Sequence, residues 1–142
     1  MRVLALDYGS ARCGCALTDP TQTIASPIEP IARPATRRGM GALVALVRER
    51  EVDRVVVGLP LSLRGGDTDQ TRETRSFAER LSQRLGPGVA VELYDERFTT
   101  RIAQRSADAR SSEDSRAAAH LLQGWLRARG DRTEPNPLGP LG

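Results

Sequence analysis

Apolar residues change their spacing along the chain, and each change marks an element. Val3-Leu4-Ala5-Leu6 is an unbroken apolar run that meets an acid at Asp7, the pattern of a strand covered on both faces. Asp7-Tyr8-Gly9-Ser10 is a turn signal, and a second strand is predicted over 12–17, closed by Thr18-Asp19-Pro20. Residues 23–31 read as extended and carry Pro27 and Pro30, which suits an edge strand. Three consecutive strands with short connections predict an antiparallel meander.

The period then lengthens. Met40, Leu43, Val44 and Val47 recur at helical spacing and predict an amphipathic helix over 36–51. Val55-Val56-Val57 follows as a second buried strand, stopped by Gly58-Leu59-Pro60. Beyond the loop Arg64-Gly65-Gly66, residues Thr74, Phe77, Ala78, Leu81 and Leu85 mark another helix, which Gly86-Pro87-Gly88 terminates. A third buried strand is predicted over 89–94, with Val89, Val91 and Leu93 on one face. A short helix is expected over 99–107. A last helix, over 114–129, carries the stripe Ala117, Ala118, Leu121, Leu122 and Trp125. The tail 130–142 holds Pro135, Pro137 and Pro140 and is expected to be disordered.

Strands alternating with helices in the later half predict parallel pairing there. The expectation is one α/β domain over 1–129. Its sheet is mixed and five-stranded, three strands antiparallel and then parallel ones, with helices on both faces. The apolar character of the first and last strands argues for central, neighbouring places in that sheet.

Composition narrows the class. At 39% hydrophobic and 27% charged, the 142 residues hold one globular domain with a real core. No apolar run approaches the ~20 residues of a membrane-spanning helix. The apolar start is too short for a secretory signal, so a cytoplasmic protein is expected. All 21 basic residues are arginine and the net charge is +3, a balance that permits nucleic-acid binding without demanding it. Cys13 and Cys15 flank a glycine on one strand. A bond between them would be strained and a zinc site would want more ligands; two small strand residues is the first reading and an intermolecular disulfide the second. Aromatic residues are scarce at 4%, which argues against a stacking platform for single strands.

The chemistry rests on acids at strand ends. Ligands in open α/β sheets bind beyond the carboxyl ends of the strands, where Asp7 and the pair Asp95-Glu96 fall. Carboxylates gathered there repel unless something neutralises them, and Mg²⁺ or Mn²⁺ is the simplest neutraliser for oxygen donors. A third acid comes from Ser111-Ser112-Glu113-Asp114-Ser115 at the mouth of the last helix, Asp114 first and Glu113 second. Asp and Ser also cap helices, which is the plainer reading of that stretch. Two ions held by such acids can activate a water and stabilise the leaving oxygen of a phosphodiester. Arg12, Arg97 and Arg101 flank the proposed turns and are placed to meet phosphates; solvated surface is their alternative. Thr99 and Thr100 read better as caps of the short helix, and His120 as a boundary residue of the last one. An acid followed by small residues between strands also describes the phosphate loop of actin-like ATPases and sugar kinases. Those clamp ATP between two such domains, and this chain supplies one.

Asp7-Tyr8-Gly9 through Arg12 and Gly14, then Val57-Gly58-Leu59-Pro60, then Asp95-Glu96-Arg97-Phe98-Thr99-Thr100, together resemble the YqgF family. The likeness runs on into Asp114-Ser115-Arg116-Ala117-Ala118 and covers residues 1–129. It implies a ribonuclease H-like fold, a cytoplasmic bacterial protein, and one of two activities: Holliday junction resolution, or nucleolytic maturation of the 5′ end of pre-16S ribosomal RNA. It also implies Asp7, Glu96 and Asp114 as an acidic triad. The stretch Ala109-Arg110-Ser111-Ser112-Glu113 is shorter in basic residues than the family's usual loop. Three functions therefore stay open: an RNA-processing nuclease dependent on two divalent ions, a DNA junction resolvase acting as a symmetric dimer, and a non-catalytic RNA- or ribosome-binding module.

Overall fold

The computed structural model describes residues 2–19, 21, 24–61, 66–95 and 113–131, with the side chains of 113, 114 and 129–131 left out. Eight elements follow in order: β1 (Val3–Asp7), β2 (Arg12–Thr18), β3 (Ala25–Ala32), α1 (Arg37–Glu49), β4 (Arg54–Leu59), α2 (Asp69–Leu85), β5 (Ala90–Asp95) and α3 (Glu113–Asp131). The expected short helix at 99–107, the loop residues 62–65 and the tail from 132 lie outside the described residues.

Local chemistry starts and stops the helices. Thr36 caps α1 by accepting a hydrogen bond from the Gly39 amide at 3.1 Å, which satisfies a donor the helix leaves open. Thr68 and Thr71 bond reciprocally at the head of α2, each side chain accepting from the other's backbone amide. At its far end Gly86 takes φ 79°, a left-handed conformation that costs glycine little.

The strands form one sheet in the order β3-β2-β1-β4-β5. β1–β2 and β2–β3 are antiparallel, whereas β1–β4 and β4–β5 are parallel. The meander and the mixed sheet are as expected, and the proline-bearing β3 is an edge. The proposed neighbours are not: β4 lies between β1 and β5, and β5 is the other edge. Its apolarity has a different cause. Val91 and Leu93 pack toward α1 and α2 while Tyr94 packs toward α3, so helices bury both faces of an edge strand.

Side-chain alternation divides the core in two. Leu4, Leu6, Cys13, Cys15, Val55, Val57 and Leu59 meet Met40, Leu43, Phe77 and Leu81 on the α1–α2 side. Val3, Ala5, Ala16 and Val56 meet Ala118, Leu121, Leu122 and Trp125 of α3. The predicted α3 stripe is correct except that Ala117 is half-buried and Ala119 is buried beside Ala118. Neither Cys13 nor Cys15 is in a disulfide, and both are buried, out of reach of a second chain. Among the described residues, no helix is long and apolar enough to cross a membrane.

Candidate active site

Asp7 ends β1, the central strand, and follows Val3 and Ala5 onto the α3 side of the sheet by alternation. Its neighbours on that side are bare. Gly14 is its direct partner on β2. On β4, Leu6 pairs with Val57 and Gly58 is the next residue along. A half-buried carboxylate therefore stands on a floor with no side chain on either flank. The turn that follows is tight: a Cβ on Gly9 would lie 2.7 Å from the Arg12 carbonyl oxygen, so a glycine is required there.

The mouth of α3 is fixed over the same side. Ser115 is buried; its Oγ donates to the Ile28 carbonyl at 2.6 Å and accepts from the Cys15 amide at 3.3 Å. The β2–β3 register shifts between Cys13 and Cys15, and one serine side chain serves both strands at that irregularity. Cys15 faces Leu6 across the β1–β2 ladder, one step from Asp7. Asp114, in the first turn of α3, is thus one residue from the anchor that seats the helix beside β1 and β2. Its side chain and that of Glu113 lie outside the described residues, as do all of Glu96, Arg97, Thr99, Thr100 and Arg101. Arg12 is exposed at the head of β2, at the same end of the sheet as Asp7.

On the opposite side the residue after Asp7 is locked. Tyr8 donates to Glu73 Oε2 at 2.6 Å and packs against Phe77 with ring centroids 4.5 Å apart. Burial first, and then the Glu73 bond, push its hydroxyl well above the usual phenol range. Asp95 ends β5 beside Leu59 and is buried. Alternation puts it on the α1–α2 side, away from Asp7. His120 is half-buried on α3; burial and then Arg116 lower its pKa from the ordinary 6.5. Ser115 is the residue of the candidate site that the sequence does not reveal, because a serine at a helix mouth reads as a cap.

A carboxylate between two glycines offers the hard oxygen donors that suit a divalent cation keeping part of its water shell. Among the described residues no group of three His, Cys, Asp or Glu side chains could hold a metal ion; Asp7 is the one acid of the expected triad whose carboxylate is described.

The backbone superposes on T. thermophilus RuvC in complex with Holliday junction substrate, with a TM-score of 0.61 at 17% identity over 99% of both chains. A second Thermus thermophilus RuvC structure matches at 0.59. At that identity the likeness defines the fold, which is ribonuclease H-like. Within it, the chain belongs to the family described as "RuvX: Holliday junction resolvase", which matches residues 1–128. A protein named "Putative pre-16S rRNA nuclease" from Anaeromyxobacter sp. (strain Fw109-5) is 39% identical, covering 91% of this chain and 98% of its own length. A protein of the same name from Mycobacteroides abscessus is 42% identical over 90% and 82%.

Proposed function

We propose that this chain is a divalent-metal-dependent nuclease of the cytoplasm that processes the 5′ end of pre-16S ribosomal RNA. The observation that carries the reading is Asp7, a carboxylate at the carboxyl end of the central strand, between Gly14 and Gly58 and beside the anchored mouth of α3. The name shared by full-length relatives supplies the RNA.

Asp7, Glu96 and Asp114 would hold two Mg²⁺ or Mn²⁺ ions, with Glu113 the alternative to Asp114. Bound there, the ions supply an activated water and charge stabilisation for the leaving oxygen. The chain does the positioning. Gly14 and Gly58 let a phosphate approach the backbone beside Asp7, and Ser115 holds the third acid's helix in place. Arg12, Arg97 and Arg101 would orient the phosphates around the scissile bond.

Asp7→Asn tests this on an RNA carrying the 5′ extension of 16S precursor. Cleavage is expected to fall by about 100-fold or more, with the melting curve nearly unchanged. A fully active Asp7→Asn protein overturns the assignment. The family description favours a second reading, junction resolution, which needs two active sites and hence a symmetric dimer. Paired symmetric nicks in a four-way DNA junction, with the precursor RNA untouched, would choose it. Chelator-insensitive binding with no cleavage of either substrate would instead indicate a binding module.

A further inference from the structure

We infer that Arg33, Arg37 and Arg38 form a phosphate-binding shelf beside the catalytic floor, gripping the nucleic-acid backbone a few nucleotides from the cut. The inference rests on the nuclease reading for its substrate, but its geometry is independent of the acids.

Topology brings these arginines to the carboxyl end of the sheet. Asp7 pairs with Gly14 on β2, and Arg12, two residues before Gly14, pairs with Ala32 at the end of β3. Arg33 follows at once, and its amide donates to the Ala11 carbonyl at 2.9 Å. Arg37 and Arg38 open α1 three residues after Pro34. All three are exposed. Within the sheet, β3 and the Arg33 that follows it lie two strand spacings, about 10 Å, from β1, roughly three nucleotides of a helical strand at ~3.4 Å each. Arg37 and Arg38 stand at the same end of the sheet, on its α1 side.

The segment is built to hold this charge still. Arg33 takes φ 44°, a left-handed conformation that L side chains rarely adopt. Its carbonyl accepts from the Thr36 hydroxyl at 2.7 Å and from the Thr36 amide at 3.1 Å. Gly39 packs beneath, where a Cβ would come within 2.0 Å of that same carbonyl oxygen. From α2, Arg80 donates to the Ala35 carbonyl at 2.9 Å.

The charge itself runs against the local rule. A helix N-terminus favours acids, yet the first turn of α1 has none and carries two arginines. Among the described residues the ion pairs lie elsewhere: Arg54 with Glu92, Arg72 with Asp69, Arg75 with Asp67. Cations set against a helix dipole, beside a strained turn and without carboxylate partners among the described residues, are explained by an anion that arrives from outside. Phosphate spaced along a backbone fits three guanidinium groups on one rim.

Fluorescence anisotropy of a labelled precursor RNA in chelator, over about 50–200 mM salt, tests the shelf without cleavage. Replacing Arg33, Arg37 and Arg38 together by Gln is expected to weaken binding about tenfold and to lower the slope of log K against log salt by roughly 2–3. A control removes the same charge at the far end of the molecule, by Arg48→Gln, Arg50→Gln and Arg84→Gln, and is expected to bind like the parent. Unchanged affinity and slope in the first variant overturn the proposal, as does an equal loss in the control. Should the triple variant melt early, Arg37→Gln and Arg38→Gln as a pair replace it, with a slope change of about 2 expected. The nuclease reading fails separately, through an active Asp7→Asn protein, and leaves this binding comparison intact.

Discussion

Ser115 Oγ donates to the Ile28 carbonyl at 2.6 Å, joining α3 to the edge strand β3 across 87 positions of sequence. The same oxygen accepts from Cys15, so one buried hydroxyl closes a gap in the sheet and seats the helix that carries Asp114, the third acid of the proposed triad. Ser115→Ala leaves a donor and an acceptor unmet, at a cost of about 1–3 kcal/mol in urea unfolding. Cleavage measured well below the melting temperature should fall too. Full activity in a destabilised Ser115→Ala protein would show that the helix mouth is seated by other contacts.

Two glycines of α1 should respond to alanine with opposite signs. Nothing lies within 4 Å of a Cβ built on Gly41, whereas one on Gly39 would collide with the Arg33 carbonyl at 2.0 Å. Gly41→Ala is expected to stabilise by about 0.5–1 kcal/mol, the ordinary helix gain. Gly39→Ala is expected to lose about 2 kcal/mol or more. Equal responses in denaturant would deny the close approach.

Edge strand β5 is tied to α3 through a buried acid. Glu92 accepts from Trp125 Nε1 at 3.1 Å and pairs with Arg54. Trp125→Phe should cost about 1–3 kcal/mol, leaving the carboxylate its arginine. Arg54→Met should cost more, about 3 kcal/mol, because it strands a buried charge. The order of the two, read from chemical denaturation, is the test.

Alkaline stability reports on Tyr8. Its hydroxyl pKa is raised in the folded state by burial and by Glu73, so the protonated form is the one the fold favours. The contribution is complete below the unfolded value near 10 and is lost as pH rises past it. Wild type should therefore lose melting temperature above pH ~10 more steeply than Tyr8→Phe. Parallel curves would remove the Tyr8–Glu73 bond from the stability of the β1 turn.

Metal removal should silence the enzyme without unfolding it. Both hydrophobic layers are built from side chains other than the proposed metal-binding acids, so chelator is expected to abolish cleavage and shift the melting temperature little. Mg²⁺ or Mn²⁺ should restore activity. Cleavage that persists in chelator would exclude the two-ion scheme.

Much of the fold was legible because alternation and helical spacing report which faces are covered. Val3-Leu4-Ala5-Leu6 announced a strand buried on both sides, and Pro27 and Pro30 announced an edge. The lateral order of strands was not legible in the same way. β5 reads like a central strand because helices cover both its faces, although β4 separates it from β1. Of the candidate site, Asp7 is legible because an acid ending an apolar strand is conspicuous. Ser115 is not, since its partners Cys15 and Ile28 are far away in sequence. Arg33, Arg37 and Arg38 were lost among 21 arginines; only the left-handed turn and the packing of Gly39 under it set them apart.

Gly14 and Gly58 give the ground beside Asp7 no chemical vocabulary. With no side chain there to read a base edge, discrimination among substrates of the proposed nuclease would fall to residues around that ground. Under the proposed function, those two glycines are the positions a designer would leave alone.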